Sequence, residues 1–322
     1  MDIYSINDER TLNVFIDNTV KPDRETLQRN NAMVDRLIHF LQNNIPGRLR
    51  PRRVIKSGSF GKGTAVRGKS DIDLILMLAE YNSVGKYTQD SRDLLQELKT
   101  YLTKYGEAQL EKVTKYSVQV KLTNGNFSQS VDVLLGIDLL DRGMVPDHVF
   151  DQMQGPDVDT HLYSVTLGPL QVEVMQALPT QVKDLIRIVK YWEDVKMKAV
   201  RNCKWPSSFA MELVVMHAWN NAGSPSTSFS MVRALHAVLT SLVNHRQFMA
   251  TFPRQMKYSS VKLETCLQRR RPPYIMDPTN PFNDMYHGLF DTAWDWNDVA
   301  TEASTWLRHP LFRGVTGTNS RW

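Results

Sequence analysis

The sequence predicts an α/β protein in which a lobe built on a mixed sheet with flanking helices is followed by a helical lobe. Before about residue 155, short apolar strand segments alternate with amphipathic segments. After that point, four long segments carry apolar residues at helical spacing. The predicted domains are therefore 1–155 and 156–322, and ligands are expected in the cleft between the two lobes.

The first lobe contains the clearest element signals. AMVDRLIHFLQ predicts an amphipathic helix over about residues 26–43. VIKSGSFGKGT predicts a short strand that runs into a glycine-rich turn, and DIDLILMLA predicts a strand with continuous apolar filling. Asp90 is expected to cap a helix through SRDLLQELKTYL. SVQVKL and QSVDVLL predict two further strands, joined by the turn sequence TNGN.

The second lobe is expected to be predominantly helical. The four periodic segments are VKDLIRIVKYWEDVKMK, SSFAMELVVMHAWN, SMVRALHAVLTSLVNHRQFM and WDWNDVATEASTWL. The proline-rich RRRPPYIMDPTNP is predicted to be a loop. Cys203 and Cys266 have neither the number nor the spacing of a disulfide framework or a zinc site, and both are expected to be buried thiols.

The composition is that of an ordinary globular protein, with 42% hydrophobic and 23% charged residues. Its longest apolar runs are too short to cross a bilayer, and MDIYSINDER lacks a basic-then-apolar signal region. We therefore expect a soluble, cytoplasmic protein with no membrane partner. The net charge of +5 favours an anionic partner only weakly.

Three aspartates are the candidate catalytic residues and metal ligands. Asp71 and Asp73 alternate on a strand and should face the same side, where two like charges repel unless a cation neutralises them. Asp132 stands alone in the apolar VDVLL and also needs a partner. If the two strands are neighbours, the aspartates could hold two Mg²⁺ ions, with Mn²⁺ as a substitute. The alternative for the Asp71–Asp73 pair is a solvated loop or edge-strand feature.

The glycine segment upstream does not fit the P-loop pattern, because Lys62 is followed by glycine. We interpret Gly58 and Ser59 as a turn whose backbone N–H groups and hydroxyl hold nucleotide phosphates. The alternative is a plain structural turn. Together with the carboxylates, this turn predicts a metal-dependent nucleotidyltransferase.

GSFGKGTAVRGKSDIDLILML, VDVLL, LIRIVKYWE and SSFAMELVVMHAW resemble, in this order, segments of the 2'-5'-oligoadenylate synthetases. The resemblance implies a two-lobed enzyme with the nucleotidyltransferase fold, related to cyclic GMP-AMP synthase and switched on by double-stranded nucleic acid. It also implies ATP as substrate, Asp71, Asp73 and Asp132 as metal ligands, and Lys190 as a contact of the donor triphosphate. Without the resemblance, Lys183, Arg187 and Lys190 would be a solvated basic face.

Two departures bear on the product. Vertebrate oligoadenylate synthetases resemble this chain less at Ser208 and Phe209, where they carry Gln-Tyr in the region that holds nucleotide bases. A Ser-aromatic pair is closer to cyclic-dinucleotide synthases, although Phe209 can still stack on a base. The chain also lacks the His-Cys-Cys-Cys insertion of cyclic GMP-AMP synthase, which disfavours DNA sensing through that element.

A run of basic residues without an intervening acid precedes the glycine turn and is the candidate surface for duplex RNA. It comprises Arg48, Arg50, Arg52, Arg53, Lys56 and Lys62. The alternative is a solvated basic loop. Gln176 and Gln181 stand where vertebrate synthetases carry basic RNA contacts, so the RNA footprint is expected to differ.

The leading hypothesis is a monomeric, double-stranded-RNA-activated enzyme that makes 2'-5'-linked oligoadenylate from ATP in innate immune sensing. A rival that uses the same aspartates makes a cyclic dinucleotide from ATP and GTP. A duplex-RNA-binding scaffold without chemistry would be expected to lose at least one metal ligand, and the sequence retains all three. A template-free polymerase acting on RNA ends shares the Gly-Ser and D-x-D features but not the resemblance of the second half.

Overall fold

A computed structural model describes residues 2–69, 72–140, 143–153, 160–199, 203–225, 228–268, 270–287, 294–315 and 322. The chain divides into two compact units. The sheet unit comprises residues 22–176, and the helical unit comprises residues 1–21, which contain α1 (Glu9–Phe15), together with residues 177–322. The predicted boundary at 155 and 156 falls within residues 154–159, outside the described part of the chain, whereas the units divide at 176 and 177.

The sheet unit is built on a five-stranded mixed sheet with the order β1-β2-β5-β4-β3. The strands are β1 (Pro51–Ser57), β2 (Ile72–Leu78), β3 (Ala108–Val113), β4 (Ser117–Asn124) and β5 (Phe127–Ile137). β2 runs parallel to β5, and the other neighbours are antiparallel. The predicted strands are confirmed. β3 lies at the edge and alternates with exposed polar residues, so its sequence has no continuous apolar signal.

Helices flank this sheet. They are α2 (Arg24–Asn44), α3 (Gly58–Lys62), α4 (Val84–Leu102), α5 (Pro146–Gln152), α6 (Thr160–Thr166) and α7 (Gly168–Gln176). The α2 prediction is confirmed, and Asp23 caps this helix by accepting a hydrogen bond from the Thr26 amide at 2.7 Å. The Asp90 cap is wrong. α4 begins two turns earlier because Val84 and Tyr87 extend its buried face, and Asp90 instead accepts a hydrogen bond from the Tyr81 hydroxyl at 2.6 Å.

The helical unit confirms the four predicted helical segments. Its remaining helices are α8 (Thr180–Ala199), α9 (Ser208–Asn221), α10 (Met231–Val243), α11 (Ser260–Leu267) and α12 (Trp296–Leu307). α9 is buried along most of its length, from Ala210 to Met216, so it lies in the interior of the unit. Trp192 of α8 and Trp306 of α12 stack with ring centroids 5.6 Å apart. These large rings tie α8 to α12 in the core.

A small sheet in the helical unit replaces the predicted proline-rich loop, and the loop prediction is wrong there. It contains β6 (Met249–Ala250), β7 (Tyr274–Asp277) and β8 (Asn280–Asp284). Buried carboxylates support these strands. Asp277 accepts hydrogen bonds from the Thr279 amide at 2.8 Å and from the Asn283 amide group at 3.0 Å, and Asp284 accepts one from the Ile275 amide at 3.0 Å. Side-chain acceptors thus satisfy backbone donors in a sequence that otherwise suggests turns.

Two further expectations concern the cysteines and membrane-spanning helices. Cys203 and Cys266 are half-buried free thiols, so the prediction that both are buried is wrong. Among the described helices, none combines the length and the apolar character that a membrane span requires.

Candidate active site

A row of directly paired residues crosses four strands of the sheet. Ser57 of β1 is opposite Asp73 of β2, Asp73 is opposite Asp132 of β5, and Asp132 is opposite Gln119 of β4. Side chains directly opposite each other lie on the same face, and neighbouring strands are about 4.8 Å apart. The structure therefore brings two of the three predicted aspartates side by side. Asp71 lies outside the described residues.

Gly58 packs against the carboxylate of Asp73. It has a φ of +60°, and a Cβ atom at this position would lie 1.7 Å from Asp73 Oδ2 and 2.8 Å from its Cγ. Only glycine combines this backbone conformation with so close an approach to a side chain. The glycine immediately after β1 thus brings a backbone segment onto the carboxylate of Asp73.

The expected glycine turn is the short helix α3. It begins at Gly58 directly after β1 and ends at Lys62, and the next residue, Gly63, has a φ of +73° that is typical of a glycine that terminates a helix. Its middle is held from two sides. A Cβ at Gly61 would lie 2.2 Å from the carbonyl oxygen of Lys56, and Gln176 Nε2 donates a hydrogen bond to the Gly61 carbonyl at 2.7 Å. The half-buried Ser59 therefore lies on a closely packed helical turn.

Gln119 was not among the predicted site residues. Its Nε2 donates a hydrogen bond to Asp132 Oδ2 at 3.0 Å. A signal existed in SVQVKL, where Val118, Val120 and Leu122 are buried and alternate with the polar positions. That alternation places Gln119 on the opposite face of β4, but the strand register that sets it beside Asp132 could not be read from the segment alone.

The other predicted nucleotide-binding residues belong to the helical unit. Lys190 of α8 forms an ion pair with Glu212 of α9 at 3.2 Å, and their side chains are 10% and 2% exposed. The alternative of a solvated basic face is wrong for Lys190. Ser208 and Phe209 occupy the first turn of α9, where Ser208 is exposed and Phe209 is half-buried. Ser207 caps that turn by accepting a hydrogen bond from the Ala210 amide at 3.2 Å.

The basic segment is divided by the structure. Arg48, Arg50 and Arg52 are exposed, Arg53 and Lys56 are half-buried, and Lys62 is only 7% exposed. Carboxylates from elsewhere in the sheet unit pair with three of these residues. The ion pairs are Arg48–Glu97 at 2.9 Å, Arg53–Asp138 at 2.6 Å and Lys56–Asp35 at 2.8 Å. Acids absent from the segment itself are therefore supplied by the fold.

The segment also extends along the whole of β1. Pro51 is paired with Leu78 at one end of β2, and Ser57 is paired with Asp73 at the other. At about 3.3 Å per residue, the arginine end lies roughly 20 Å from the glycine that contacts Asp73. The exposed arginines thus lie near the first residue of β1, and the carboxylates on β2 and β5 lie beside its last residue.

A second group of metal-type ligands lies in the helical unit. Single ligand atoms of Cys203, Asp295 and Asp298 all lie within 4.8 Å of one another. Burial and the two carboxylates raise the pKa of the Cys203 thiol to about 12. The thiol is therefore protonated at neutral pH when no metal is bound.

The fold is shared with solved nucleotidyltransferases. The chain is similar to the Cid1 poly(U) polymerase bound to Mg 3'-dATP, with a TM-score of 0.59, 15% identity, and coverage of 96% of this chain and 95% of that one. The chain therefore has the nucleotidyltransferase fold, and two neighbouring carboxylates lie on its sheet.

Sequence comparison identifies the family. Residues 151–322 match the family described as 2'-5'-oligoadenylate synthetase 1, domain 2, C-terminus. The chain therefore belongs to the 2'-5'-oligoadenylate synthetase family. It is 27% identical to mouse 2'-5'-oligoadenylate synthase 2 over 94% of this chain and 43% of that protein. It spans less than half the length of the first curated relatives that it matches.

Membership of the family does not by itself decide activity. The chain is also 26% identical to rat inactive 2'-5'-oligoadenylate synthase 1B, over 84% of this chain and 76% of that protein. The question of chemistry therefore depends on the residues of the site.

Proposed function

We propose that this protein is a magnesium-dependent nucleotidyltransferase that makes 2'-5'-linked oligoadenylate from ATP and acts as a cytoplasmic monomer. The observation that carries the proposal is the direct pairing of Asp73 with Asp132 beneath Gly58. Two half-buried carboxylates on adjacent strands repel each other, and a bound cation removes that repulsion.

The donor set suits Mg²⁺. Asp73 and Asp132 offer hard oxygen ligands, and we expect Asp71 to complete the set, because the sequence places it two residues before Asp73. Bound Mg²⁺ would neutralise the charge of the triphosphate and of the departing pyrophosphate. The Cid1 structure contains both magnesium and an adenine nucleotide, which supports the proposal that this chain also binds Mg²⁺ together with ATP.

In the proposed reaction, the 2'-hydroxyl oxygen of an acceptor nucleotide attacks the α-phosphorus of donor ATP. The new O–P bond forms as the bond to the β-phosphate oxygen breaks, and pyrophosphate leaves with that electron pair. Asp132 accepts the proton of the hydroxyl. We expect Ser59 to hold donor phosphates, and the family resemblance assigns Lys190 to the triphosphate and Phe209 to stacking on a base. Positioning and charge neutralisation supply most of the acceleration.

The decisive experiment incubates the purified chain with ATP, GTP, Mg²⁺ and a duplex RNA. Products are then identified by mass and by sensitivity to 2'-5'- and 3'-5'-specific nucleases. A ladder of AMP oligomers with 2'-5' linkages is expected. Asp73→Asn and Asp132→Asn should each abolish product, whereas Asp93→Asn, which changes an exposed carboxylate on α4, should not. Product of normal yield from Asp132→Asn would rule out the mechanism.

The same experiment tests the rival product. The Ser208–Phe209 pair lacks the tyrosine hydroxyl of the vertebrate pattern, which favours a cyclic dinucleotide as the second candidate. That product would be a dimer that resists phosphatase. Its appearance in place of the ladder would transfer the proposal to cyclic-dinucleotide synthesis with the same aspartates.

We also propose duplex RNA as the activator, with Arg50 and Arg52 as its contacts on this surface. Both side chains are exposed, and β1 connects them to Ser57 and Gly58 at the site. RNA that binds near the Pro51 end of β1 can thereby shift the Ser57 end, which lies at the site.

Charge reversal tests this surface. Arg50→Glu with Arg52→Glu should lower RNA affinity and RNA-stimulated synthesis together, and should reduce the salt dependence of binding. The matched control reverses Arg246 and Arg308, two exposed arginines of the helical unit. Lys62 is left unchanged because it is buried, and its replacement would disturb α3. If RNA stimulates synthesis equally in both double variants, Arg50 and Arg52 do not form the RNA-binding surface.

A further inference from the structure

Gln119 lies between two charged residues in the row that crosses the sheet. On one side it is directly opposite Asp132 of β5, and on the other it is directly opposite Lys112 of the edge strand β3. Its amide group donates a hydrogen bond to Asp132 Oδ2 at 3.0 Å. The position therefore determines what Asp132 meets on the side away from Asp73.

The chemistry of this neighbour matters for a carboxylate that binds a cation. A glutamine donates a hydrogen bond to Asp132 without adding a charge of its own. A lysine here would neutralise the carboxylate and compete with a metal ion, and an acid would repel it. Gln119 also lies between the exposed Lys112 and Asp132, which are therefore two strand spacings apart.

The amide is itself held in place. Gln119 is half-buried, and its neighbours Val118 and Val120 on β4 are fully buried in the core of the sheet unit. The antiparallel pairing of β4 with β5 continues from Ser117 to Asn124. A donor on this rigid strand restricts the rotation of the Asp132 carboxylate, as hydrogen-bonded partners of metal ligands do in other sites.

We propose that Gln119 is a positioning residue that orients Asp132 for metal binding. The inference rests on the proposed function, because it takes Asp132 to be a metal ligand. It adds a residue outside the D-x-D and glycine motifs. Loss of such a partner typically weakens metal affinity or activity by roughly 10-fold to 100-fold.

The test measures Mn²⁺ binding by the electron paramagnetic resonance signal of free Mn²⁺, with the full chain and saturating α,β-methylene-ATP. Gln119→Leu and Gln119→Met remove the donor and keep most of the side-chain volume. We expect each to raise the half-saturating Mn²⁺ concentration by roughly 10-fold and to raise the Mg²⁺ requirement of synthesis in parallel.

Gln129→Leu is the matched control. Gln129 lies on β5 and accepts a hydrogen bond from Asn30 at 3.0 Å, so the control removes a comparable polar contact of the same sheet. Its Mn²⁺ half-saturation should stay within about twofold of the wild type, because Gln129 is three residues before Asp132 and is paired with Leu122. An equal effect of both glutamines would assign the loss to general destabilisation and overturn the proposal.

Asp132→Asn separates the two proposals. If this variant binds Mn²⁺ like the wild type, the metal-ligand assignment fails and the role of Gln119 fails with it. If Asp132→Asn loses binding while Gln119→Leu and Gln119→Met bind normally, the positioning role alone is wrong. Should the leucine variant not fold, the methionine variant, which is unbranched like glutamine, decides the outcome.

Discussion

Replacement of Gly58 by alanine tests whether the close approach of α3 to Asp73 is needed for function. The added Cβ would lie 1.7 Å from Asp73 Oδ2, whereas ordinary contacts begin at 3.4 Å, so the carboxylate oxygen has to move by about 1.7 Å. The positive φ of this position costs a non-glycine residue about 1–2 kcal/mol in addition. Since a misplacement of about 1 Å can cost roughly 100-fold in rate, we expect Gly58→Ala to lower synthesis at least 100-fold.

Gly125→Ala provides the matched control. Gly125, in the turn between β4 and β5, has the same φ of +60°, and no atom lies within 4 Å of the Cβ that alanine would add. The positive φ should cost both variants about 1–2 kcal/mol of stability in urea denaturation, and Gly58→Ala should lose more because its Cβ also meets Asp73. Only Gly58→Ala should lose pyrophosphate release and the Mn²⁺-induced rise in melting temperature. If Gly58→Ala retains activity within about threefold of the control, the contact with Asp73 has no catalytic importance.

Three further predictions concern the helical unit. Glu212→Gln should lower the free energy of unfolding by about 3 kcal/mol, because it removes the negative charge that is paired with the buried Lys190; urea denaturation with a loss under about 1 kcal/mol would contradict this. Ser207→Ala should cost about 1 kcal/mol in the same assay through loss of the α9 cap, and an unchanged midpoint would refute it. Burial lowers the pKa of three histidines, so the unfolded chain binds more protons and stability should fall as the pH drops below about 6.5; a flat urea midpoint between pH 7.5 and 5 would exclude this. The histidines are His217, His236 and His245.

The sheet unit shows how far local patterns reach. Continuous apolar sequence predicted β2 correctly, and the turn TNGN predicted the β4–β5 hairpin. The start of α4 was missed, because Val84 and Tyr87 become part of an apolar face only when the sheet covers them. The strands near Tyr274 were missed for a similar reason, since Asp277 and Asp284 supply hydrogen bonds that no local pattern announces.

In the candidate site as well, the sequence identified the residues but not their partners. Gly58, Asp73 and Asp132 could be selected from the sequence, because a glycine next to a strand and charges inside apolar strands are costly without a purpose. Their residue types and spacing also sufficed for the resemblance to the oligoadenylate synthetases. The partners of the basic segment could not be found in this way, because Glu97 and Asp138 are distant in the chain.

By itself, the sequence determined the class of the fold, the family and the identity of the two carboxylates that the structure describes. Only the tertiary structure decided which residues meet those carboxylates. The register of β4 on β5 sets Gln119 against Asp132, and the path of the chain after β1 sets Gly58 against Asp73. The physical reason is that alternation along a strand chooses a face, whereas pairing between strands that are distant in sequence chooses the neighbour.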